Sequence, residues 1–276
     1  MNSLYRALGI SKQAFHQYMD RQLLQLEEQQ QLLPLIGDIR SDHPHLSSRV
    51  IYYLVQPQTM GRDTFEQFCH EHGFKLEPKR AYHRTTNSLG VTRFKNLVVD
   101  FELTGVNQVW VSDITFYRIC ERYYFLTFIL DLYSRFIVGY SVSMNLLTES
   151  TTIPALTMAL KKRHPEDGLI FHSDGGGQYY CKGFLSITRH HRIKNSMCES
   201  AYENSHAERI NGTIKNDYLV YYGPQTFQQL KKMTAKAVRM YNTRRPHQAL
   251  GRMPPEVFEK EVFNKEKRTK KEKKRC

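Results

Sequence analysis

Three consecutive runs of β-forming residues decide the fold: VWVSDITFYRI at 109–119, RYYFLTFILDLYS at 122–134 and RFIVGYSVS at 135–143. They are rich in β-branched and aromatic residues and are separated by short polar turns. This pattern predicts three strands in an antiparallel meander. Alternating helical and strand-like segments follow, so the expected order β-β-β-α-β-α-β-α predicts an α/β fold, a mixed five-stranded sheet with flanking helices.

The segments after the meander supply the rest of this sheet and its covering helices. The fourth strand is LIFHSD and ends in three glycines, and the fifth is a short run that ends at Met197. Helices are expected at 150–164, 182–191, about 204–221 and 226–241.

The residues before the sheet are expected to be helical. Residues 1–75 predict a small all-helical, helix-turn-helix-like region that binds DNA, although any small helical bundle has the same pattern. Residues 1–20 favour two short helices, and Pro34 is expected to break the next helix-rich stretch. Further helices are expected at 47–55 and from Asp63.

Composition divides the rest of the chain. Residues 76–105 are expected to form a basic linker that follows a phosphate backbone, and a solvated connector without a ligand is the alternative. The main domain spans 106–222, and a helix with a proline-containing block spans 223–262. Residues 263–276 are strongly basic and almost free of apolar residues, which predicts a disordered tail.

The charge balance points to the partner. The chain has 40 Lys and Arg against 27 Asp and Glu, a formal net charge of +13. This excess favours nucleic acid, although some soluble proteins are merely basic. No apolar run reaches the roughly 18–20 residues of a membrane span, and residues 1–13 lack the apolar core of a signal peptide. Five scattered cysteines predict a reducing, cytoplasmic setting without disulfides, and Cys69 with His72 supplies at most half of a zinc site.

Two aspartates lie at positions in strands where a carboxylate is expected to have a specific role. Asp113 lies within an apolar strand, where an ionised carboxylate costs several kcal/mol unless a partner such as a metal ion compensates it. Asp174 ends the fourth strand, at the kind of strand end where α/β proteins bind ligands, although it could simply begin the glycine turn. Asp131 also ends an apolar strand, and we interpret it as a structural turn residue, with a metal ligand as the alternative.

A third acid lies on the long helix. Asn204, Glu208, Asn211 and Lys215 recur at helical spacing and share one face. Glu208 could be an ordinary surface acid, but three carboxylates are the ligands that Mg²⁺ prefers. Two such ions about 4 Å apart can activate an attacking oxygen and stabilise a leaving one at a phosphodiester. Lys215 could then hold the DNA strand by its phosphate.

Four blocks resemble a known family. They are WVSDIT at 110–115, HSDGGGQY at 172–179, YENSHAERINGTIK at 202–215 and YNTRRPHQALGRMPPEVF at 241–258. Their order and separation are similar to those of the IS3-family DDE transposases (the OrfB type), which are related to retroviral integrases. The resemblance covers about residues 35–262.

The resemblance implies an RNase H-like integrase catalytic core that uses Mg²⁺ or Mn²⁺ to cleave DNA at insertion-sequence ends and transfer the 3′-hydroxyl. It implies Asp113, Asp174 and Glu208 as catalytic metal ligands, with two ions per site. Glu203 is the rival third ligand, because only 33 residues separate Asp174 from Glu208, slightly fewer than is usual. Glu208 is preferred because it lies seven residues before Lys215.

The resemblance also implies DNA as substrate and target, a homo-oligomer of at least a dimer on DNA, and frameshift fusion to an upstream helix-turn-helix and zipper product. The residues expected to contact DNA are Lys215, Asn204, Asn211, Lys75, Lys79, Arg80, Arg84, Arg244, Arg245 and His247. Two other functions stay open: a non-catalytic DNA-binding regulator or inhibitor of the fused transposase, and an RNase H-type nuclease that acts on hybrids.

Overall fold

The structure, a computed structural model, describes residues 5, 9, 11–76, 93–198 and 204–273. The chain forms two compact units, Met1–Tyr82 and His83–Cys276. In the described part of the chain, no helix is long and apolar enough to cross a membrane.

Between residues 11 and 76, the first unit contains the helices α1 (Lys12–Asp42), α2 (Ser48–Val55) and α3 (Arg62–Glu71). The Ser11 hydroxyl accepts a hydrogen bond from the Ala14 amide at 3.0 Å and caps α1, as serine does at helix starts. A small apolar core joins the three helices and includes Leu32, Ile36, Leu46, Ile51, Met60, Phe65, Phe68 and Cys69.

The predicted helix after the Ser11 cap is confirmed, but it is not short and the predicted break at Pro34 is wrong, because the helix α1 runs through residue 20 and through Pro34. The other short helix, predicted before Gly9, lies almost entirely outside the described residues. Gln, Leu and Glu dominate the middle of α1 and favour helix. Pro34 removes one backbone hydrogen bond, to the Gln30 carbonyl, but both residues are exposed, so water can satisfy that carbonyl. Burial of Leu32 and Ile36 on either side of the proline holds the helix together.

The second unit contains the predicted mixed sheet of five strands in the order β3-β2-β1-β4-β5. The strands are β1 (Val109–Ile119), β2 (Arg122–Asp131), β3 (Ile137–Ser143), β4 (Ile170–Ser173) and β5 (Lys194–Met197). β1, β2 and β3 form the antiparallel meander, whereas β4 is parallel to β1 and β5 is parallel to β4. The predicted α/β class and RNase H-like sheet are therefore confirmed.

Helices cover both faces of this sheet. They are α4 (Thr152–Arg163), α5 (Lys182–His190), α6 (Ser205–Gly212, continued by a π-helical segment Thr213–Leu219 and a last turn Val220–Tyr222), α7 (Phe227–Arg244) and α8 (Pro255–Lys273). Helices α6 and α7 pack on the face that contains Val109 and Val111. Helices α4 and α5 pack on the opposite face, around Trp110.

Gly139 on β3 shows how closely α4 approaches the sheet. A Cβ atom there would collide with the Ala155 carbonyl and the Ala159 side chain. Only glycine therefore permits this contact, which fixes α4 against the meander.

The prediction that residues 263–276 form a disordered tail is wrong for the described part, because α8 continues to Lys273. Lys and Glu are strong helix formers, and the Glu256–Lys260 ion pair at 2.9 Å supports the first turns. The predicted linker 76–105 lies partly outside the described residues. Its later part is attached to the second unit, since Leu97, Val98 and Leu103 pack against the core under α6.

Candidate active site

Strand register brings Asp113 and Asp174 to neighbouring positions. Ser112 on β1 pairs with Ser173 on the parallel strand β4, and each is followed directly by an aspartate. Neighbouring strands lie about 4.8 Å apart, and paired residues of parallel strands face the same side. Since Val111 points into the core under α6, Asp113 lies on that same face, beneath α6.

Asp113 is held by two hydrogen bonds. The Ile114 amide donates to its Oδ1 at 2.8 Å, and the Asn211 side-chain amide donates to its Oδ2 at 2.9 Å. Burial raises the pKa of Asp113 to about 7, and the carboxylates of Asp174 and Glu208 add to this increase. The two hydrogen bonds act in the opposite direction. The site therefore has negative charge that its own hydrogen bonds do not balance.

Asp174 begins the glycine turn and also faces the site. Its Oδ1 accepts a hydrogen bond from the Gly176 amide at 3.1 Å. Gly175 has φ +78°, and a Cβ atom there would collide with Met197, so the turn needs glycine. The surrounding protein partly desolvates the carboxyl group and raises the pKa of Asp174, although its side chain still reaches the surface. The turn role and a ligand role are thus compatible.

Helix α6 lays one face along β1. Asn204 donates to the Ser112 carbonyl at 3.1 Å, and Asn211 donates to Asp113. Lys215 donates to the Thr115 hydroxyl at 3.2 Å. Glu208 is exposed on this helix and acts electrostatically on Asp113. The start of α6, its middle and its π-helical part thus contact β1 at Ser112, Asp113 and Thr115.

Lys215 lies within the π-helical segment. Burial lowers the pKa of its ammonium group, and the nearby Asp113 opposes that shift. The ammonium also lies 4.8 Å from the centre of the Phe116 ring. π-Helical segments are rare and often occur at functional sites, and this one contains the lysine that bonds to Thr115 on β1.

Asp131 is structural, as interpreted from the sequence. Its carboxylate accepts hydrogen bonds from the Asn107 amide at 2.6 Å and from the Ser134 amide at 2.8 Å. It pairs with Trp110, whose side chain points to the face opposite Asp113. Asp131 therefore holds the β2–β3 turn and points away from the carboxylate cluster.

The C-terminal block contacts the core rather than the carboxylates. Arg245 pairs with Asp217 at 2.8 Å, with side chains 15% and 9% exposed. The Asn242 side chain exchanges two hydrogen bonds with the Ile137 backbone, at 2.9 and 3.0 Å. The sequence reasoning missed this role of Asn242. Its only signal was a polar residue on the apolar face of an amphipathic helix.

The residues predicted to contact DNA have different surroundings. Lys75 and Arg244 are exposed, and His247 is half-buried. Asn204, Asn211 and Arg245 are largely buried and use their donors within the protein. DNA contact by these six residues stays a prediction. Lys79, Arg80 and Arg84 lie outside the described residues, as does the rival ligand Glu203.

The donor set fits a hard divalent cation. In the described ranges, no three His, Cys, Asp or Glu side chains are already close enough to share one ion. However, Asp174 and Glu208 are both close enough to Asp113 to raise the pKa of its carboxyl group. The buried side-chain carbonyl oxygens of Asn204 and Asn211 have no hydrogen-bond partner within the described residues. Carboxylates with spare oxygen acceptors are what Mg²⁺ and its bound waters require.

Comparison with known proteins agrees with this geometry. Two family models, both described as integrase core domain, match residues 104–202 and 189–255. An insertion element IS600 31 kDa protein of Shigella sonnei is 29% identical over 262 residues, which cover 92% of this chain and 96% of the relative. Transposase InsF of IS3A from Escherichia coli is 32% identical over 166 residues, covering 58% and 56% of the two chains.

Solved structures are also similar. The catalytic core domain of HTLV-2 integrase in complex with magnesium is 22% identical, covers 54% of this chain and 92% of its own, and gives a TM-score of 0.44. An intasome of simian T-cell lymphotropic virus is 14% identical, covers 77% and 74% of the two chains, and gives a TM-score of 0.49.

The two family models together span the whole sheet and helices α6 and α7, so the second unit is an integrase core domain. The chain belongs to the integrase-core transposases of the IS3 family.

Proposed function

We propose that this chain is a transposase, a polynucleotidyl transferase that cleaves DNA at the ends of an insertion sequence and joins the freed 3′-hydroxyl to a second DNA site. The observation that carries the proposal is that Asp113 and Asp174 follow paired residues of neighbouring strands, with Glu208 of α6 close enough to raise the pKa of Asp113. The integrase-core models and the transposase relatives support the reaction class. Acting on chromosomal DNA would place the chain in the bacterial cytoplasm, at the nucleoid.

The three carboxylates would hold Mg²⁺ or Mn²⁺, two ions in our proposal. Bound there, the ions would polarise the scissile phosphate and lower the pKa of an attacking water or 3′-hydroxyl. The protein's part is orientation. The Ile114 amide and the Asn211 side chain fix both oxygens of Asp113, while the Gly176 amide fixes one oxygen of Asp174.

Lys215 would hold the DNA strand beside the reacting phosphate. Its ammonium is anchored by Thr115 and lies within electrostatic reach of Asp113, so a phosphate bound there would be close to the carboxylates. Residues 1–75 and the exposed Arg244 would contribute further DNA contacts. Because strand transfer needs both element ends held together, we also propose that the chain acts as a dimer or larger assembly on DNA.

Strand transfer with purified full-length chain tests the proposal. The substrate is DNA that carries the flanks of this reading frame, with Mg²⁺ present. We expect Asp113→Asn and Glu208→Gln to abolish cleavage and joining. The matched control Glu149→Gln, an exposed acid on the loop before α4, should retain both.

Two outcomes would contradict the proposal. If Asp113→Asn and Glu208→Gln join DNA as well as the unmodified chain does, the site is wrong. If the unmodified chain binds these ends without any Mg²⁺-dependent nicking, the result favours the hypothesis that the chain is a non-catalytic DNA-binding regulator. A parallel assay with an RNA–DNA hybrid tests the hypothesis of an RNase H-type nuclease, because only a hybrid-specific nuclease would cleave the hybrid in preference to DNA.

A further inference from the structure

Two arginines and a histidine lie close together where α6 meets the turn between β2 and β3. Arg135, in that turn, donates a hydrogen bond to His206 Nδ1 at 2.8 Å. Arg209 follows His206 by three positions, so these two residues lie on the same flank of α6. Arg135 and His206 are half-buried and Arg209 is exposed, so all three remain open to a ligand from solvent.

The positive charge of this site is not neutralised by an ion pair within the described ranges. Arg163 and Arg245, which are also half-buried in the second unit, each pair with a carboxylate. Arg135 and Arg209 form no such pair with a described residue. Burial lowers the pKa of the Arg135 guanidinium, and the charge of Arg209 acts in the same direction. Holding two like charges together costs free energy, which a bound anion would offset.

Asp131 attracts the Arg135 guanidinium but does not neutralise it. The charge of Asp131 raises the pKa of Arg135, but by less than Arg209 lowers it. The Asp131 carboxylate is buried and instead accepts four hydrogen bonds, from Asn107, Tyr133 and Ser134, which fix the turn. In this turn Arg135 has φ +60°, a strained conformation for a residue with a side chain. Such strain is typical of positions that hold a side chain for a ligand.

The site lies across α6 from the carboxylates. Positions two apart in an α-helix point in nearly opposite directions, so His206 and Glu208 lie on opposite flanks of α6. A helix with its side chains is about 10–12 Å wide, which corresponds to about three nucleotides at about 3.4 Å each. Arg209 points between the two flanks and is exposed. A DNA strand that crosses the first turns of α6 would therefore meet both the carboxylates and the arginines.

We propose that Arg135, His206 and Arg209 bind one backbone phosphate of the DNA, about three nucleotides from the phosphate that reacts at the carboxylates. Planar guanidinium groups match the oxygens of a phosphate. Since His206 Nδ1 accepts from Arg135, the neutral imidazole donates through Nε2. The site rests on the proposed function. It is separate from Lys215, which bonds to Thr115 on the other flank of α6, and so adds a second anchor that fixes the direction of the strand across this helix.

Binding of the full-length chain to element-end DNA over a range of salt concentrations tests the site. Ca²⁺ replaces Mg²⁺ to suppress cleavage. For Arg135→Gln with Arg209→Gln, we expect affinity to fall about ten-fold or more at low salt, and the slope of log affinity against log salt to decrease by about one unit. Arg118→Gln is the matched control and should leave the slope unchanged, because Arg118 is already paired with Glu121 at 3.0 Å.

Uncharged phosphate analogues locate the contact. Each probe of a series carries one methylphosphonate in place of a phosphate. We expect the unmodified chain to bind weakly to a probe that is altered about three nucleotides from the reacting phosphate. The double variant should bind this probe as well as it binds unaltered DNA, because the contact is already lost. Lys215→Met should lose its sensitivity at a different position.

Thermal unfolding without DNA separates a binding role from a structural one. Because Arg209 is exposed and repels Arg135, Arg209→Gln should keep or raise the unfolding temperature while it weakens DNA binding. Arg135→Lys keeps the positive charge but lacks the planar fork of a guanidinium group, so it should restore only part of the affinity that Arg135→Gln loses.

A double variant with the salt slope and the methylphosphonate pattern of the unmodified chain would overturn the phosphate site. A lower unfolding temperature of Arg209→Gln with unchanged DNA affinity would also overturn it, since that result would indicate a structural role. Asp113→Asn should keep both the salt slope and the sensitivity at this phosphate while it loses joining. Failure of the phosphate site and failure of the catalytic assignment therefore give different results.

Discussion

Removing the Asn211 side-chain amide tests whether α6 positions the Asp113 carboxylate. Asn211 is only 5% exposed, and its donor bonds to Asp113 Oδ2 at 2.9 Å. In Asn211→Leu, that oxygen loses the hydrogen bond from the Asn211 side chain, and Asp113 keeps the Ile114 amide on its other oxygen. We therefore expect the carboxylate to remain present but to be poorly oriented.

The size of the effect follows from the type of bond. A hydrogen bond to a charged group contributes about 1.5–3 kcal/mol, equivalent to roughly a 10- to 150-fold change. Removing a partner that orients a metal ligand costs a similar factor of about 10–100 in metal affinity or activity. We therefore expect cleavage by Asn211→Leu to fall about 10- to 100-fold at limiting Mg²⁺ and to recover partly at high Mg²⁺.

The assay is cleavage of labelled element-end DNA over a Mg²⁺ titration. Asn216→Leu is the matched control, since Asn216 is an exposed asparagine on the same helix. Thermal unfolding followed by circular dichroism checks that both variants are folded. Activity of Asn211→Leu equal to that of Asn216→Leu at every Mg²⁺ concentration would refute the positioning role.

Three further predictions concern Arg245, Tyr218 and Lys215. Arg245→Met breaks the buried ion pair with Asp217 and should lower the free energy of unfolding by about 3–5 kcal/mol in urea denaturation, whereas a change below about 1 kcal/mol would contradict a structural ion pair. Burial raises the pKa of Tyr218 to about 12, above the value near 10 of an unfolded chain. Since the unfolded state then loses its proton first, stability should be complete below pH 10 and decline between pH 10 and 12, and Tyr218→Phe should flatten that decline in pH-dependent unfolding. Lys215→Met should weaken DNA binding and reduce the slope of log affinity against log salt by about one unit, and an unchanged slope would argue against a phosphate contact.

The sheet could be predicted because its signals are local. The meander strands are rich in β-branched and aromatic residues over about ten positions, and the turns between them are short and polar. Asp113 was recognisable for the same reason, since a carboxylate within such a strand needs compensation. The structural role of Asp131 also followed from the turn that comes after it.

The wrong predictions concern two segments whose secondary structure depends on packing against the rest of the protein. Pro34 suggested a break, but burial of Leu32 and Ile36 in the same helix outweighs one lost hydrogen bond. The basic tail suggested disorder, but its Lys and Glu residues also favour helix, and α8 is already anchored by Glu259, which pairs with Arg163 at 2.9 Å. Composition alone could not decide between these outcomes.

Part of the site could not be predicted because it depends on contacts between distant elements. Helical spacing placed Asn204, Asn211 and Lys215 on one face, but it could not show which residues of β1 they meet. The π-helical segment that carries Lys215 has no recognised sequence signal here. Assigning Asn211 to orient Asp113 required the packing of α6 on the sheet.

Binding of Mn²⁺ to the full-length chain on element-end DNA tests the central claim most directly, and electron paramagnetic resonance reports the bound ion. If Asp113, Asp174 and Glu208 form one metal site, the unmodified chain and Glu149→Gln should retain tightly bound Mn²⁺. Asp113→Asn, Asp174→Asn and Glu208→Gln should each lose it while still binding DNA. Retention of Mn²⁺ by any one of these three variants at the unmodified affinity would contradict the assignment of that residue as a ligand.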